Sequence, residues 1–395
     1  NLLFCFIIIQ NQTIMKRILL YSLLLVFTNS LVAQTQMGAT MEGTSIEDLF
    51  GVTVSISSNG SRIVVGSSDN GISSSVLGYA KVYEYNGSVW NALGANILEE
   101  VNGDNGGTVA MSGDGTRVVI GAYLNDGNGV DSGHARVYQW NGTAWTQVGA
   151  DVNGEAAGDN SGVAVSISSN GNVIAVGAHN NDGNGANSGH VRVYSWNGSA
   201  WIQRGSDING EAAGDNFGVA VSLSQDGTKL AVGARYNDGG GSNAGHVRVY
   251  NWNGSSWVQL GADIDGFQAE LNFGTAVSVS NSGSRVAIGS PLYDGTFYSN
   301  VGITRVYEFV SSSWSQVGQS IIGSGNYSGI NLGKSVSISG DGNAIVVGSS
   351  GHSGGGSTFR GLAEYYKLVS NVWTKQGGNI LGNFNGDRLG FGVAM

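Results

Sequence analysis

Disulfide and metal frameworks are the first thing this chain lacks. It has one cysteine, Cys5, and one proline, Pro291. A lone thiol closes no internal disulfide, and there is no Cys/His set of the kind that holds structural zinc. Charge is scarce as well: 12% of residues are charged, against about 25% in an ordinary domain. Bases are the scarcer sign, 18 against 28 acids, for a net charge of −10. That balance argues against nucleic acid, whose phosphates require a basic footprint. Cations, neutral glycans and protein surfaces remain as partner classes. No Ser-His-Asp motif, phosphate-cradling loop or zinc motif is present. Beyond residue 33 no segment has the 3.6-residue apolar period of a helix, and no run is long and apolar enough to span a membrane.

The one long apolar segment lies at the start. "MKRILLYSLLLVFTNSLVAQ" begins at Met15, with Lys16 and Arg17 as a basic flank, a short apolar run to Phe27, and Ala33 as a small residue at a cleavage point. It reads as a secretory signal peptide over residues 15–33, too short for a membrane span. Residues 1–14 read as upstream extension. The expectation is an exported protein, secreted or on the outer cell surface, with no stable membrane span after cleavage.

What is present is repetition. Glycine supplies 66 of 395 residues, without the strict triplet period of collagen. "VIAVGA" at 173–178 recurs as "RVVIGA", "KLAVGA", "RVAIGS" and "AIVVGS". The marker glycines Gly66, Gly121, Gly177, Gly233, Gly289 and Gly348 are spaced by 55, 56, 56, 56 and 59 residues. Trp90, Trp145, Trp201, Trp257, Trp314 and Trp373 keep the same beat. Within one unit the apolar period is two, the signature of strands. "GVAVSIS" is a first strand, "SNGN" (169–172) a hairpin turn suited to type I′, and "VIAVGA" a second strand. A loop over 179–189 leads to "HVRVYSW", another tight Asn-Gly turn, and "AWIQRG". Four short antiparallel strands per unit, repeated six times, predict a β-propeller.

The ends extend the pattern. "QMGATMEG" at 36–43 resembles "QVGADVNG" at 147–154, so residues 34–395 are expected to open with a lone fourth strand. "GDRLGFGVAM" begins a further first strand at the other end. The fold class expected is all-β: six complete four-stranded blades and a partial, composite seventh, or eight blades in all if more sequence follows.

Phe50-Gly51, Phe217-Gly218 and Phe273-Gly274 open three units, and Gly289-Ser290-Pro291 ends a second strand. On these residues the chain resembles the FG-GAP repeat, the blade of the integrin-α-like propeller found also in exported bacterial proteins. The resemblance implies surface adhesion or ligand binding rather than catalysis. In that family calcium sits in an Asp-x-Asp-x-Asp-Gly loop between first and second strands. Here that connection is "SNGN", "GDGT" (113–116) or "QDGT" (225–228), with at most one acid. Calcium takes six to eight oxygens, so those sites do not carry over and no cofactor is expected.

Several residues compete as site candidates. Asp126, Asp182, Asp238 and Asp294 each follow a marker glycine by five residues and precede a glycine. They read as a ring of carboxylates for sugar hydroxyls or cations, with Asp182 and Asp238 as the cation candidates, or as turn residues bonding their own backbone. Asn184, Asp159 and Asp215, with Asp104, fall on the same long-loop end of the blades. His134, His190 and His246 share one repeat position with Tyr79, Ile303 and Leu362, which favours packing over catalysis. Two strand positions on, Lys81, Arg136, Arg192, Arg248 and Arg305 are followed by an unexplained Glu364. The paired tryptophans read as cross-strand packing, and the Asn-Gly-Ser/Thr triplets at Asn86, Asn141, Asn197 and Asn253 as turns.

Binding residues favour loops on a rigid scaffold, and every long loop falls on one face. The expected function is a monomeric, non-catalytic adhesion or binding propeller recognising an extracellular protein or glycan through that face. An exported polysaccharide-acting enzyme or lectin is the alternative.

Overall fold

The unit around Gly177 shows how the sequence becomes a sheet. In this computed structural model, which describes residues 36–43, 49–68, 77–101, 103–324, 327–352, 360–383 and 386–395, Ser161–Ile167 pairs antiparallel with Val173–Ala178, and that strand with His190–Trp196. Val173, Ala175, Val191 and Val193 pack with Phe217, Leu230 and Val232 of the next unit. Ile174 and Val176 pack with Val119, Ala135 and Val137 of the preceding one. A sheet covered on both faces has no solvent side, and the second strand is buried at all six positions.

The outer edge departs from expectation. Trp201–Gln203 pairs with one end of the third strand, Trp196 opposite Trp201, and Ile208–Asn209 with the other, His190 opposite Asn209. Between the two pieces the chain leaves the ladder at 204–207, where Gly205 has a φ of +84°. Each sheet therefore has five strands rather than four, with both short strands on the third. The kink turns Asp207 toward the start of the third strand.

Six such sheets form an all-β, six-bladed propeller of antiparallel blades, with no helix among the described residues. Their inner strands are Leu49–Ile56, Gly106–Met111, Ser161–Ile167, Phe217–Leu223, Ala276–Val279 and Ser335–Ile338, each packed beside the next. The marker glycines are explained by this packing. A Cβ on Gly177 would overlap the carbonyl oxygen of Gly218, the glycine that bulges the next inner strand at a φ of +92°. The same approach recurs at all six marker positions.

The first turn differs from the type I′ expected. Gly171 N donates to Ser168 O at 2.9 Å, and Gly171 has a φ of +70° while Asn170 stays out of the left-handed region. A turn followed by a left-handed glycine does the work, so the Asn-Gly pair sits one position later than type I′ requires. Asn170 Oδ1 instead accepts from Ser168 Oγ and from Asn172 N. The second hairpin is also longer than two residues: it spans Asn197–Ala200, with Asn197 N donating to Ala200 O at 3.1 Å.

No seventh sheet is present among the described residues. The last residues nevertheless repeat inner-strand contacts. Met395 N donates to Ser337 Oγ at 3.0 Å, as Leu223 N does to Ser166 Oγ at 3.0 Å. Gly390 lies against Gly348, and Gly392 against Gly51 and Thr53 of the first blade. At the other end Trp90 Nε1 donates to Met37 O at 3.0 Å, the bond that Trp201 makes to Val148 O at 2.8 Å. The signal peptide expected over 15–33, the extension expected over 1–14 and Cys5 lie outside the described residues.

Candidate functional site

The loops joining second to third strands all leave the same end of their sheets, beside the links between blades. In the third blade that loop is 179–189. Asp182 is exposed, and its Oδ1 accepts from Asn187 N at 2.8 Å. Asp126, Asp238 and Asp294 are likewise exposed and accept from Asp131 N, Asn243 N and Asn300 N at 2.9, 2.8 and 2.7 Å. Each carboxylate thus braces its own loop while facing solvent. The loop is also tied to its neighbour: Asn184 Nδ2 donates to Gly210 O at 2.8 Å, and Gly214 N to Ala186 O at 2.8 Å. Asn184 keeps an exposed position but spends its amide on that link.

Asp159 and Asp215 sit beneath this surface rather than on it. Both are buried. Asp159 accepts from Ala156 N at 3.0 Å and Asn181 Nδ2 at 3.1 Å. Asp215 accepts from Ala212 N at 3.2 Å and Asn237 Nδ2 at 3.0 Å. Asp104 does the same with Asn125 Nδ2 at 3.1 Å. These side chains lock a link to the next blade's loop, as a buried polar group must be hydrogen-bonded. The link leaving the fourth blade has Leu271 in that place, fully buried.

The tryptophans line the outer rim, none of them exposed. Trp196 and Trp201 face each other across the hairpin, ring centroids 5.3 Å apart. Trp201 then reaches the preceding blade through its bond to Val148 O. Asn197 Oδ1 accepts from Ser199 N and Ala200 N, both at 2.9 Å, which accounts for its place in the turn.

The histidines are buried, but not in an apolar setting. His190, 1% exposed, opens the third strand, and its side chain and those of Arg192 and Tyr194 point toward the second blade. Its Nδ1 stands 3.8 Å from Asp207 Oδ2, placed there by the outer kink, and 3.7 Å from Glu155 Oε2, on the link leaving the second blade. Glu155 and Asp207 are only partly covered. Neither ring nitrogen has a hydrogen-bond partner. Burial pushes the imidazole pKa down to about 4, with Arg192 adding to the effect. His246 with Glu211 and Asp263, and His134 with Glu100 and Asp151, form two equivalent clusters. There the arginine bridges both acids. Arg248 bonds Asp263 at 3.0 and 2.9 Å and also pairs with Glu211. Arg136 bonds Asp151 at 2.8 Å and pairs with Glu100. Burial works against ionising Asp151 and Asp263, yet their arginines hold both below the usual carboxylate range. In the third blade Arg192 stands 3.4 Å from Glu155 Oε1 and donates to Asn153 O at 3.0 Å.

Sequence reasoning set the histidines aside because Ile303 and Leu362 replace them, and missed the acids that meet them. Those acids lie 35 residues upstream and 17 downstream of His190, on another blade and past a kink. A usable signal was there. Where the histidine position holds Ile303 or Leu362, the aspartate position holds Ser320 or Asn379 and the glutamate position Phe267 or Ser324. The three residue types come and go together, whereas the arginine persists as Arg305 without them.

Residues 209–250 match the FG-GAP repeat family. No curated protein matches the sequence. Among solved structures, a putative 6-phosphogluconolactonase from Bacteroides uniformis is similar at a TM-score of 0.58 and 10% identity, over 85% of this chain and 86% of that one. A periplasmic gluconolactonase from Pseudomonas aeruginosa gives 0.57 and 13%, over 86% of each chain. The hydrazine synthase of Kuenenia stuttgartiensis gives 0.55 and 10%, over 90% and 93%. At such identities the likeness is one of fold. With the repeat match at its fourth blade and six sheets built on the same unit, this chain is an FG-GAP-like β-propeller.

Proposed function

We propose that this chain is an exported, non-catalytic binding propeller that recognises an extracellular protein or glycan through its long-loop face, at the cell surface or in secreted form, as a monomer. The observation that carries this reading is the repeated loop carboxylate. Asp126, Asp182, Asp238 and Asp294 are solvent-facing, yet each is fixed by a backbone N–H of its own loop. Polar groups held without further ordering cost are what a recognition surface needs. Asn and Gly surround Asp182, while Val130 and Phe297 are exposed in the loops of Asp126 and Asp294, so the face offers polar and apolar contacts to a glycan or a protein. Asp159 and Asp215 serve that face from below, by holding its loops.

We also place residues 36–43 and 389–395 at a seventh position of the ring. The Trp90–Met37 and Met395–Ser337 bonds support this reading, because each copies an interblade bond found elsewhere.

The test is a panel of polysaccharides and extracellular proteins probed with the protein and with a variant carrying Asp→Asn at 126, 182, 238 and 294. Binding that is lost in the variant while the fold is kept supports the reading. Turnover of a bound polysaccharide would favour the enzyme alternative instead.

A further inference from the structure

Three features of the interblade pocket at His190 have no account in packing or in recognition at the loop face. The first is the orphaned imidazole. A buried polar atom without a partner is costly, and here both ring nitrogens are in that state on a side chain 1% exposed. The second is spacing. Nδ1 is 3.7 and 3.8 Å from two carboxylate oxygens, beyond the 3.2 Å reach of a hydrogen bond. Two ligands bound at about 2.0–2.2 Å to one tetrahedral ion stand roughly 3.4 Å apart. The three ligand atoms lie within 4.8 Å of one another. The third is co-occurrence: histidine, glutamate and aspartate are all present in blades two to four and all absent from blades five and six.

We propose that the pocket formed by His190, Glu155 and Asp207 binds a divalent transition-metal ion of the zinc class. One nitrogen and two carboxylate oxygens make a three-ligand set with room for water, and the nitrogen excludes calcium as the natural occupant, since calcium takes oxygens. Imidazole ligates metal through a ring nitrogen, and neither ring nitrogen of His190 is engaged by another group. Glu155 and Asp207 reach the surface, which gives the ion an entry path. Of the three clusters this one is the most open to a cation. Arg192 approaches only Glu155, through Oε1, and leaves Oε2 and Asp207 Oδ2 facing the imidazole. In the second and fourth blades a guanidinium already spans both acids. Because Glu155 belongs to the link leaving the second blade, a bound ion would staple two blades together.

The test is zinc binding to the full chain by titration calorimetry, with anomalous diffraction at the zinc edge from crystals soaked in zinc. The expected result is one ion per chain at micromolar free zinc, located between His190 Nδ1, Glu155 and Asp207. His190→Gln and Asp207→Asn should each weaken it at least about tenfold, while Asp182→Asn on the loop face leaves it unchanged. Should the pocket variants fail to fold, the position of the anomalous peak in the unaltered protein decides alone. No peak in the pocket, or zinc binding equal in His190→Gln and the parent, overturns the proposal.

Discussion

The same place in the third and sixth blades is filled with charges in opposite order. In the third, Arg192 rises from the third strand and pairs with Glu155 of the link, while Asp207 of the rim faces the neighbouring His190. In the sixth, Glu364 takes the arginine's position, 2% exposed, and receives Lys375 Nζ and the Tyr366 hydroxyl. Lys375 stands where blades two to five have glutamine, and Asn379 where blades two to four have aspartate. The glutamate that broke the sequence pattern is thus a reversed ion pair. What the propeller requires at this position is a charge with a partner, of either sign. The imidazole of the third blade is a separate addition, because the sixth blade has Leu362 in its place and is complete without it.

Five variants and a pH series would break or sharpen that comparison. Lys375→Met should have the largest effect, about 3 kcal/mol, since it leaves Glu364 buried beside Tyr366 with its cation gone. The double change Glu364→Leu, Lys375→Met should recover most of that loss, and chemical denaturation measures both. Acidification should separate the blades next. The folded pKa of His190 lies near 4 against an ordinary 6.5, so the native state binds fewer protons than the unfolded one between those values. Stability is therefore full above about pH 6.5 and falls as pH drops toward 4, by about 3 kcal/mol for this residue. His190→Leu, which copies the sixth blade, should flatten that part of the pH–stability profile, although His179, also near 4, keeps a share of it. Arg192→Met should cost only about 1 kcal/mol, because Glu155 and Asp207 still reach water. Arg248→Gln removes a guanidinium bonded to Asp263 and Glu211 and should likewise cost about 1 kcal/mol, since both acids reach water. By freeing Glu211 and Asp263 it should add a second zinc site of the third-blade kind, read as a second ion per chain.

Particular residues show what the sequence made legible. Gly66 to Gly348 and the rim tryptophans announced the blades because each is a contact made once per unit, and contacts that repeat leave a period. The outer kink was invisible, since "RGSD" carries no signal that distinguishes a broken strand from a continuous one. The Asn-Gly turn was misplaced by one residue because the dipeptide fits two turn types. Asp159 and Asp215 were assigned to the loop face from their position in the link, but their burial depends on Asn181 and Asn237, 22 residues on and in the next loop. The His190 pocket draws on two blades, so only reading several repeat columns together could have assembled it.

The central claim is that recognition belongs to the pinned loop carboxylates and not to the rim or the interblade pockets. Binding of the protein to immobilised polysaccharides and extracellular proteins, compared with the Asp126, Asp182, Asp238 and Asp294→Asn variant and with His190→Gln, tests it most directly. The account predicts that the first variant loses binding while His190→Gln keeps it. Binding that survives in the loop variant, or hydrolysis of the bound polysaccharide by the parent protein, would contradict it.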